Sequence, residues 1–312
     1  MNIVVVDHVY LKQEHISRLQ KLGSLKVFSE PPETVDELKK RIAAADIVIV
    51  GWSHLTKEVI DSAKQLRMIS IWATTCHYAD LDAAKERGIV VTHVPGYATE
   101  AVAEHSFALL LAAIRRLPAA DKHVREGGFD WRPFGGTELA EKTLSIIGTG
   151  MIGCRVAEIA RGFRMRILGF DKYPNLQRAD EIGLRYVDLD TLLKESDVIS
   201  LHLILNAETE KLLGRKQIDG MKHGAVIINT SQGRVVDEEA LVEALKLGRI
   251  SYAGLDVFAE EPPSKDNALF KLENVVLSPH VGFHTVEAIS RCTDICIDNI
   301  AKFLEGQRQN VC

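Results

Sequence analysis

Short apolar runs alternate with amphipathic stretches from one end of the chain to the other. In the first part the runs are Ile3 to Val6, Ile47 to Val50, Met68 to Ala73 and Ile89 to Val91, and helical patterns such as Thr34 to Ala44 and Thr56 to Gln65 lie between them. A strand covered on both faces reads as a continuous apolar run, so this rhythm predicts buried parallel strands joined by crossover helices. The stretch from Thr99 to Leu117, with Ala, Leu or Phe on most turns, is too long for a strand. It predicts a largely buried helix that Pro118 ends. Periodicity is then lost from Ala119 to Glu141, where Gly127, Gly128, Pro133, Gly135 and Gly136 predict an excursion over the surface.

The alternation restarts with Thr143 to Ile147, Arg166 to Phe170, Val198 to Leu201, Ala225 to Ile228, Tyr252 to Val257 and Val275 to Leu277. A final amphipathic helix runs from about Thr285 to Leu304. Two halves with the same grammar predict an α/β protein with two doubly wound parallel sheets.

The chain has 312 residues, which at roughly 150 residues per domain agrees with two domains. Its 38 Lys and Arg against 43 Asp and Glu leave a net charge of −5 with no basic run. That excludes the electrostatic footprint of a nucleic-acid or anionic-membrane binder and leaves small molecules as the expected partners. No apolar stretch approaches the ~18 residues of a membrane span, and Ile3 to Val6, cut short by Asp7, reads as a strand and not a secretory segment. The five cysteines, Cys76, Cys154, Cys292, Cys296 and Cys312, are odd in number and lack CxxC spacing. Neither a disulfide framework nor a zinc site is therefore expected, no metal is assigned, and a reducing cytoplasm is the expected location. Cys292 and Cys296, four apart on a helical stretch, read as packed core thiols.

The most informative local motif is Gly148-Thr149-Gly150-Met151-Ile152-Gly153, directly after the strand Leu144 to Ile147 and opening a helix near Met151. Gly148 permits the tight turn, Gly150 lets backbone approach a pyrophosphate, and Gly153 allows close helix–strand packing. The helix start offers unpaired N–H groups and a positive dipole end. Asp171, 18 residues beyond Gly153 and just past the next strand, is placed to accept hydrogen bonds from ribose hydroxyls. Its charge would repel a 2′-phosphate, which favours NAD over NADP, although Lys172 beside it tempers that preference.

Three later strand ends carry polar residues: Asn229 to Arg234, Asp256 to Pro262, and Ser278 to His284. Parallel sheets place ligands at such ends. Hydride transfer to a carbonyl needs a proton donor beside the developing alkoxide, and histidine has the pKa for it. A carboxylate on the far ring nitrogen would orient the imidazole and raise that pKa. His280 and Glu261 form the candidate pair, but spacing alone leaves open a loop histidine bonded to backbone and surface carboxylates at Glu260 and Glu261.

These residues together resemble the NAD-dependent D-2-hydroxyacid dehydrogenases, the family of phosphoglycerate, glycerate and D-lactate dehydrogenases and the formate dehydrogenase relatives. The similarity covers almost the whole chain. It rests on Gly148 to Gly153 with Asp171, on Asp197 to Thr209 beginning Asp-Val-Ile-Ser-Leu-His, and on Met221-Lys222-His223-Gly224-Ala225 leading to Asn229. It continues through Val236-Asp237-Glu238, Leu255 to Phe258 with Glu261-Pro262, and Ser278-Pro279-His280. The resemblance implies a Rossmann cofactor domain, residues 98–283, inserted into a flavodoxin-like substrate domain made of residues 1–97 and 284–312. It also implies an active site in the cleft between the two and a homodimer formed through the cofactor domain. By the same resemblance His280 is the acid/base and Glu261 its orienting partner. Met151 and Ile152 meet the pyrophosphate, Asp171 the ribose, and His202 with Leu203 the adenine side. Thr230, Ser231, Asp256 and Gly282 line the nicotinamide.

The departures concern substrate. The family's catalytic arginine, immediately before the glycine of Asn-x-x-Arg-Gly, is replaced by Gln232. A neutral amide cannot reproduce the planar charged fork that grips a carboxylate and polarises its 2-oxo group. Arg234, two residues on, is a candidate stand-in, though a solvent-facing place at the start of the next loop is its more natural position. The family's Gly-x-Gly turn after the third strand is Thr75-Cys76-His77 here, and Gly51-Trp52-Ser53-His54 replaces a stretch that often carries a substrate-binding arginine. Trp52, Ser53, His54, Thr75, Cys76, His77, Arg234 and His284 are thus the candidate substrate residues. Cys76 beside His77 reads as a small apolar filler of the turn before a reactive thiolate. Two functions follow: a dehydrogenase with an atypical pocket around Gln232, or a protein that has lost dehydrogenase activity and serves as an NAD(H)-binding scaffold or regulator or uses bound NAD in a non-redox or internally balanced reaction.

Overall fold

A computed structural model describes all residues, 1–312. The chain forms two compact units, Met1–Ala98 with His284–Cys312, and Thr99–Phe283.

The first unit holds five parallel strands, β1 (Asn2–Val5), β2 (Ser24–Val27), β3 (Ile47–Val50), β4 (Met68–Ile71) and β5 (Val90–Thr92), in the order β2-β1-β3-β4-β5. The central strands β3 and β4 are buried at every position, as the continuous apolar runs require. Helix Val286–Leu304, capped by Thr285 accepting from Ala288 N–H at 3.1 Å, packs against β4. It buries Cys292 and Cys296 on its inner face.

The second unit holds seven parallel strands: β6 (Thr143–Ile147), β7 (Arg166–Phe170), β8 (Leu184–Tyr186), β9 (Val198–Leu201), β10 (Ala225–Asn229), β11 (Ile250–Leu255) and β12 (Val275–Leu277). Their order is β12-β11-β10-β9-β6-β7-β8. β6 and β9 are themselves parallel, but the strand order reverses between them, which is the switch point at which such sheets bind ligands. β6 and β10 are buried throughout, and each large aliphatic side chain fully removed from water contributes about 1.5–3 kcal/mol.

Two sequence expectations are corrected. The helix expected to end at Pro118 stops at Ile114, the chain turns through a left-handed Arg116 (φ 51°), and Pro118 opens a further helix, Leu117–Arg125. Proline suits that first turn because its missing N–H would have had no helical partner there. The expected irregular excursion therefore contains this helix and a short 3-10 turn, Arg132–Phe134. The second correction is a disulfide, Cys76–Cys312, across 236 residues of sequence with Cα atoms 6.1 Å apart. An odd cysteine count excludes only complete pairing, so it did not exclude one bridge beside three free thiols, Cys154, Cys292 and Cys296. No helix is long and apolar enough to cross a membrane.

Candidate active site

The turn after β6 shows what each glycine does. Gly148 sits at φ +93°, and a Cβ there would come within 2.4 Å of the His202 carbonyl oxygen. A Cβ on Gly153 would lie 2.0 Å from the Gly148 carbonyl oxygen, so only glycine fits either place. Gly150 differs: a Cβ there would meet nothing within 4 Å. The chain's own packing does not require glycine at that position, and helix Met151–Gly162 starts there without a side-chain cap. Space and uncapped N–H groups fit the residues to an anionic pyrophosphate.

At the end of β7, Asp171 Oδ2 accepts from the Thr149 N–H (2.6 Å) and hydroxyl (3.1 Å), while Oδ1 accepts from Tyr173 N–H (2.9 Å). Lone pairs remain for ribose hydroxyls. Lys172 is taken up by both carboxylate oxygens of Glu208, at 2.6 and 2.8 Å. His202 donates its backbone N–H to Ile147, and its Nε2 lies 2.8 Å from Ser200 Oγ. Burial lowers its pKa to about 3, so the ring is neutral, and Nδ1 has no partner. Leu203 packs beside Gly148.

The loops after β10, β11 and β12 bring His280 and Glu261 together. His280 Nδ1 lies 2.7 Å from Glu261 Oε2, and Oε1 accepts from Phe258 N–H at 3.0 Å. The hydrogen bond to Glu261 raises the His280 pKa against the opposing effect of burial. Burial pushes Glu261 up, but hydrogen bonds from His280 and Phe258 outweigh it and hold the carboxyl below its usual range. An ionised Glu261 fixes the proton on Nδ1 and leaves Nε2 for a substrate.

His280 adopts φ +54°, a conformation that costs a non-glycine residue on the order of 1–3 kcal/mol and persists only where neighbours impose it. Asp256 imposes it. Its backbone carbonyl accepts from His280 N–H (2.8 Å), Oδ1 accepts from the Ser278 hydroxyl (2.5 Å) and Val281 N–H (2.9 Å), and Oδ2 accepts from Gly282 N–H (2.7 Å). Burial would neutralise Asp256, yet these bonds and His105 outweigh it and lower its pKa. His105, on helix Thr99–Ile114, places Nε2 2.9 Å from Ser278 Oγ and 3.3 Å from Asp256 Oδ1. Since Ser278 gives its proton to Asp256, its oxygen accepts from His105.

In the turn after β10, buried Asn229 accepts from the Ser231 N–H and hydroxyl (3.0 and 2.9 Å) and donates to the Gln232 carbonyl (2.9 Å). Thr230 pairs with Ser106, hydroxyl to hydroxyl, at 2.8 Å. A Cβ on Gly233 would stand 1.9 Å from the Phe258 carbonyl oxygen, so this turn is pressed against the residue whose N–H holds Glu261. Gln232 thus rides on the dyad's own scaffold. Arg234, the candidate stand-in for the family arginine, is instead paired with Glu210 at the surface.

In the first unit, the Gly51-Trp52-Ser53 turn is gathered by the fully buried Asp7, whose carboxylate accepts all three backbone N–H groups at 2.7, 3.0 and 2.6 Å. His54, His77 and Tyr78 form a ring cluster with His77 and Tyr78 centroids 4.2 Å apart, and Thr75 Oγ1 is 2.7 Å from His77 Nδ1. Burial, then the proximity of His54, lowers the His77 pKa. Cys76 is neither an apolar filler nor a free thiol; its sulfur is bonded to Cys312. His284 Nε2 lies 3.1 Å from the Tyr10 hydroxyl. Sequence reasoning missed Asp7 and His105. Asp7 is an acid two residues past β1 that a turn could use, whereas His105 lies within an apolar helical run that gave no signal.

Residues 107–282 match the family model described as "D-isomer specific 2-hydroxyacid dehydrogenase, NAD binding domain". The chain is 41% identical over 307 residues to a glyoxylate reductase of Thermococcus litoralis, covering 95% of this chain and 92% of that one. It is 38% identical over 307 residues to a D-3-phosphoglycerate dehydrogenase of Archaeoglobus fulgidus, covering 98% of this chain but only 58% of that longer relative. Among solved structures it is similar to an acyclic imino acid reductase in complex with NADPH and D-Arg, at TM-score 0.91 and 37% identity with both chains fully covered.

Proposed function

Because the chain belongs to the D-isomer specific 2-hydroxyacid dehydrogenase family, we propose that it transfers hydride between a nicotinamide dinucleotide and a 2-hydroxy/2-oxo acid or a related carbonyl compound. The observation that carries this reading is the His280–Glu261 pair at 2.7 Å, set in a strained loop that Asp256 and His105 hold. A pure binder gains nothing from a raised histidine pKa and a carboxylate dedicated to its far nitrogen.

The cofactor would be held by the turn from Gly148 to Gly153 and by Asp171, with His202 and Leu203 on its adenine side and Thr230, Ser231, Asp256 and Gly282 near its nicotinamide. When bound it supplies or accepts the hydride. In the reducing direction, His280 Nε2–H donates its proton to the oxygen of the carbonyl, and Glu261 stabilises the imidazolium until then. In the oxidising direction the neutral ring takes the hydroxyl proton. Asp171, with Lys172 neutralised by Glu208, favours NAD over NADP.

Gln232 would meet the substrate where the family uses arginine, offering a neutral amide in place of a bidentate cation. For the first unit we propose the substrate-recognition role, carried by Trp52, Ser53, His54, Thr75, His77 and His284 through stacking and neutral hydrogen bonds. We also propose a homodimer through the second unit, whose exposed Leu117, Val124, Phe129 and Trp131 form apolar surface of the kind that marks an interface.

The test is NADH oxidation by the wild-type protein against a panel of 2-oxo acids, aldehydes and ketones. We expect turnover with at least one member. Tight NADH binding with no turnover on the whole panel would establish a scaffold or regulator instead.

A further inference from the structure

The chain contains one oxidised cysteine pair, in a position that ties the segment 309–312 to a candidate recognition turn. Residues 74–78 follow β4. The non-covalent links of Thr74–His77 are His93 Nδ1 with the Thr74 carbonyl at 2.6 Å, Thr75 with His77, the Cys76 carbonyl accepting from Ala79 N–H at 3.3 Å and the stacking of His77 on His54 and Tyr78. Tyr78 is anchored more firmly, its carbonyl accepting from Leu55 N–H at 2.8 Å and its ring packed on the core. The disulfide adds a covalent tie at Cys76, in the middle of the turn.

On the other side of the bond, the tail has its own seat. Val311 bridges Thr92 in antiparallel fashion at the open edge of β5, Cys312 N–H donates to Val91, and His93 N–H donates to Asn310. The Gln309 and Asn310 amides both donate to Asn299 Oδ1, at 3.0 and 2.9 Å. Breaking the S–S bond would therefore leave the two sulfurs near each other, so that the bond can re-form; a held pair has a high effective concentration.

The other thiols are unsuited to exchange. Burial pushes Cys296 up to about 12, and Cys292 and Cys154 also upward, so none forms a thiolate readily near neutral pH. Cys312 is exposed and Cys76 half-buried, so an outside thiolate can reach the bridge.

We propose that Cys76–Cys312 is a thiol–disulfide exchange site at which a dithiol reductant loosens the turn bearing Thr75 and His77 and so weakens substrate recognition. This rests on the recognition role proposed above for that turn. One thiolate of the reductant attacks the Cys312 sulfur, the Cys76–Cys312 bond breaks, and a mixed disulfide forms. The second thiol of the reductant then displaces Cys312. The protein gains two electrons and two protons as a pair of thiols, and the reductant leaves as its own disulfide.

The experiment uses the full chain purified without reductant, and dithiothreitol as the dithiol. Titration of thiols in denaturant should give three before reduction and five after it. Hydrogen exchange of residues 74–78 and 309–312 should speed up on reduction, and KM should rise about three- to tenfold while NADH affinity stays within about twofold. Cys312→Ser, which leaves the turn's own residues intact, should behave as the reduced protein and no longer respond to dithiothreitol. Five thiols without reduction, unchanged exchange in residues 74–78, or a KM indifferent to thiol state would each overturn the proposal. Thiol counts and exchange need no substrate, so a protein that turns over nothing would refute the dehydrogenase reading separately.

Discussion

The two units share one means of holding a candidate functional loop, a buried aspartate that gathers backbone N–H groups, and differ in a second. In the second unit, the loops are fixed by backbone and short polar contacts: Asp256 clamps both sides of His280, Gly233 sits against Phe258, and Gly148 and Gly153 fit where no other residue does. In the first unit, Asp7 holds the Gly51–Ser53 turn in the same way, but the Thr75–His77 turn is built from side chains, with Thr75 paired to His77 and Cys76 bonded to Cys312. Backbone-built sites fix reaction geometry, while side-chain-built sites set what is admitted. Chemistry and cofactor binding should therefore fail with changes in the second unit, and only substrate affinity with changes in the first.

The largest effect is expected at the dyad. His280→Gln should lower kcat about a thousandfold with little change in melting temperature, since general acid–base catalysis contributes on the order of 10²–10⁴ and the ring is half exposed. Glu261→Gln should shift the pH profile. The His280 pKa is raised, so wild-type carbonyl reduction persists toward high pH and falls as pH rises through that pKa. Without the carboxylate the fall should begin at lower pH, and an unchanged profile of kcat/KM would separate Glu261 from the proton transfer.

Next come the glycines. Gly150→Ala has room in the free protein, so it should leave stability unaltered yet weaken NADH binding about tenfold or more. Gly153→Ala collides with the Gly148 carbonyl and should cost about 1–3 kcal/mol of folding free energy. Calorimetry and NADH titration distinguish the two; equal behaviour would mean that Gly150 serves no ligand.

His105→Ala should lower kcat about tenfold without moving NADH affinity or KM, and His105→Gln, which keeps a donor toward Ser278, should restore most of it. An undiminished kcat in the alanine variant would reduce His105 to a packing role. The smallest change is expected for His77→Ala, a rise in KM of a few fold at constant kcat, and a fall in kcat there would break the contrast between the units.

The sequence pattern made the central strands plain because β3, β4 and β10 are apolar at all positions or all but one, and β6 interrupts its apolar run only with the small Thr143 and Ser145. It missed β2 and β8, short strands at sheet edges where Ser24–Val27 and Leu184–Tyr186 alternate with polar residues and stay partly exposed. Glycine spacing betrayed the cofactor turn because a missing side chain is itself the signal. Pro118 misled because proline both ends and begins helices. The Cys76–Cys312 bond was illegible because its partners meet only once β4 and the tail at β5 are in place, and His105 because its partners, Asp256 and Ser278, arrive from later strands.

The most direct measurement concerns Gln232. We expect Gln232→Arg to raise kcat/KM for a 2-oxo acid about 10- to 150-fold, the range of a charge-assisted bond worth roughly 1.5–3 kcal/mol, while leaving a matched uncharged ketone within about twofold. No gain for the acid, or an equal gain for both compounds, would contradict the placement of Gln232 at the substrate's carboxylate.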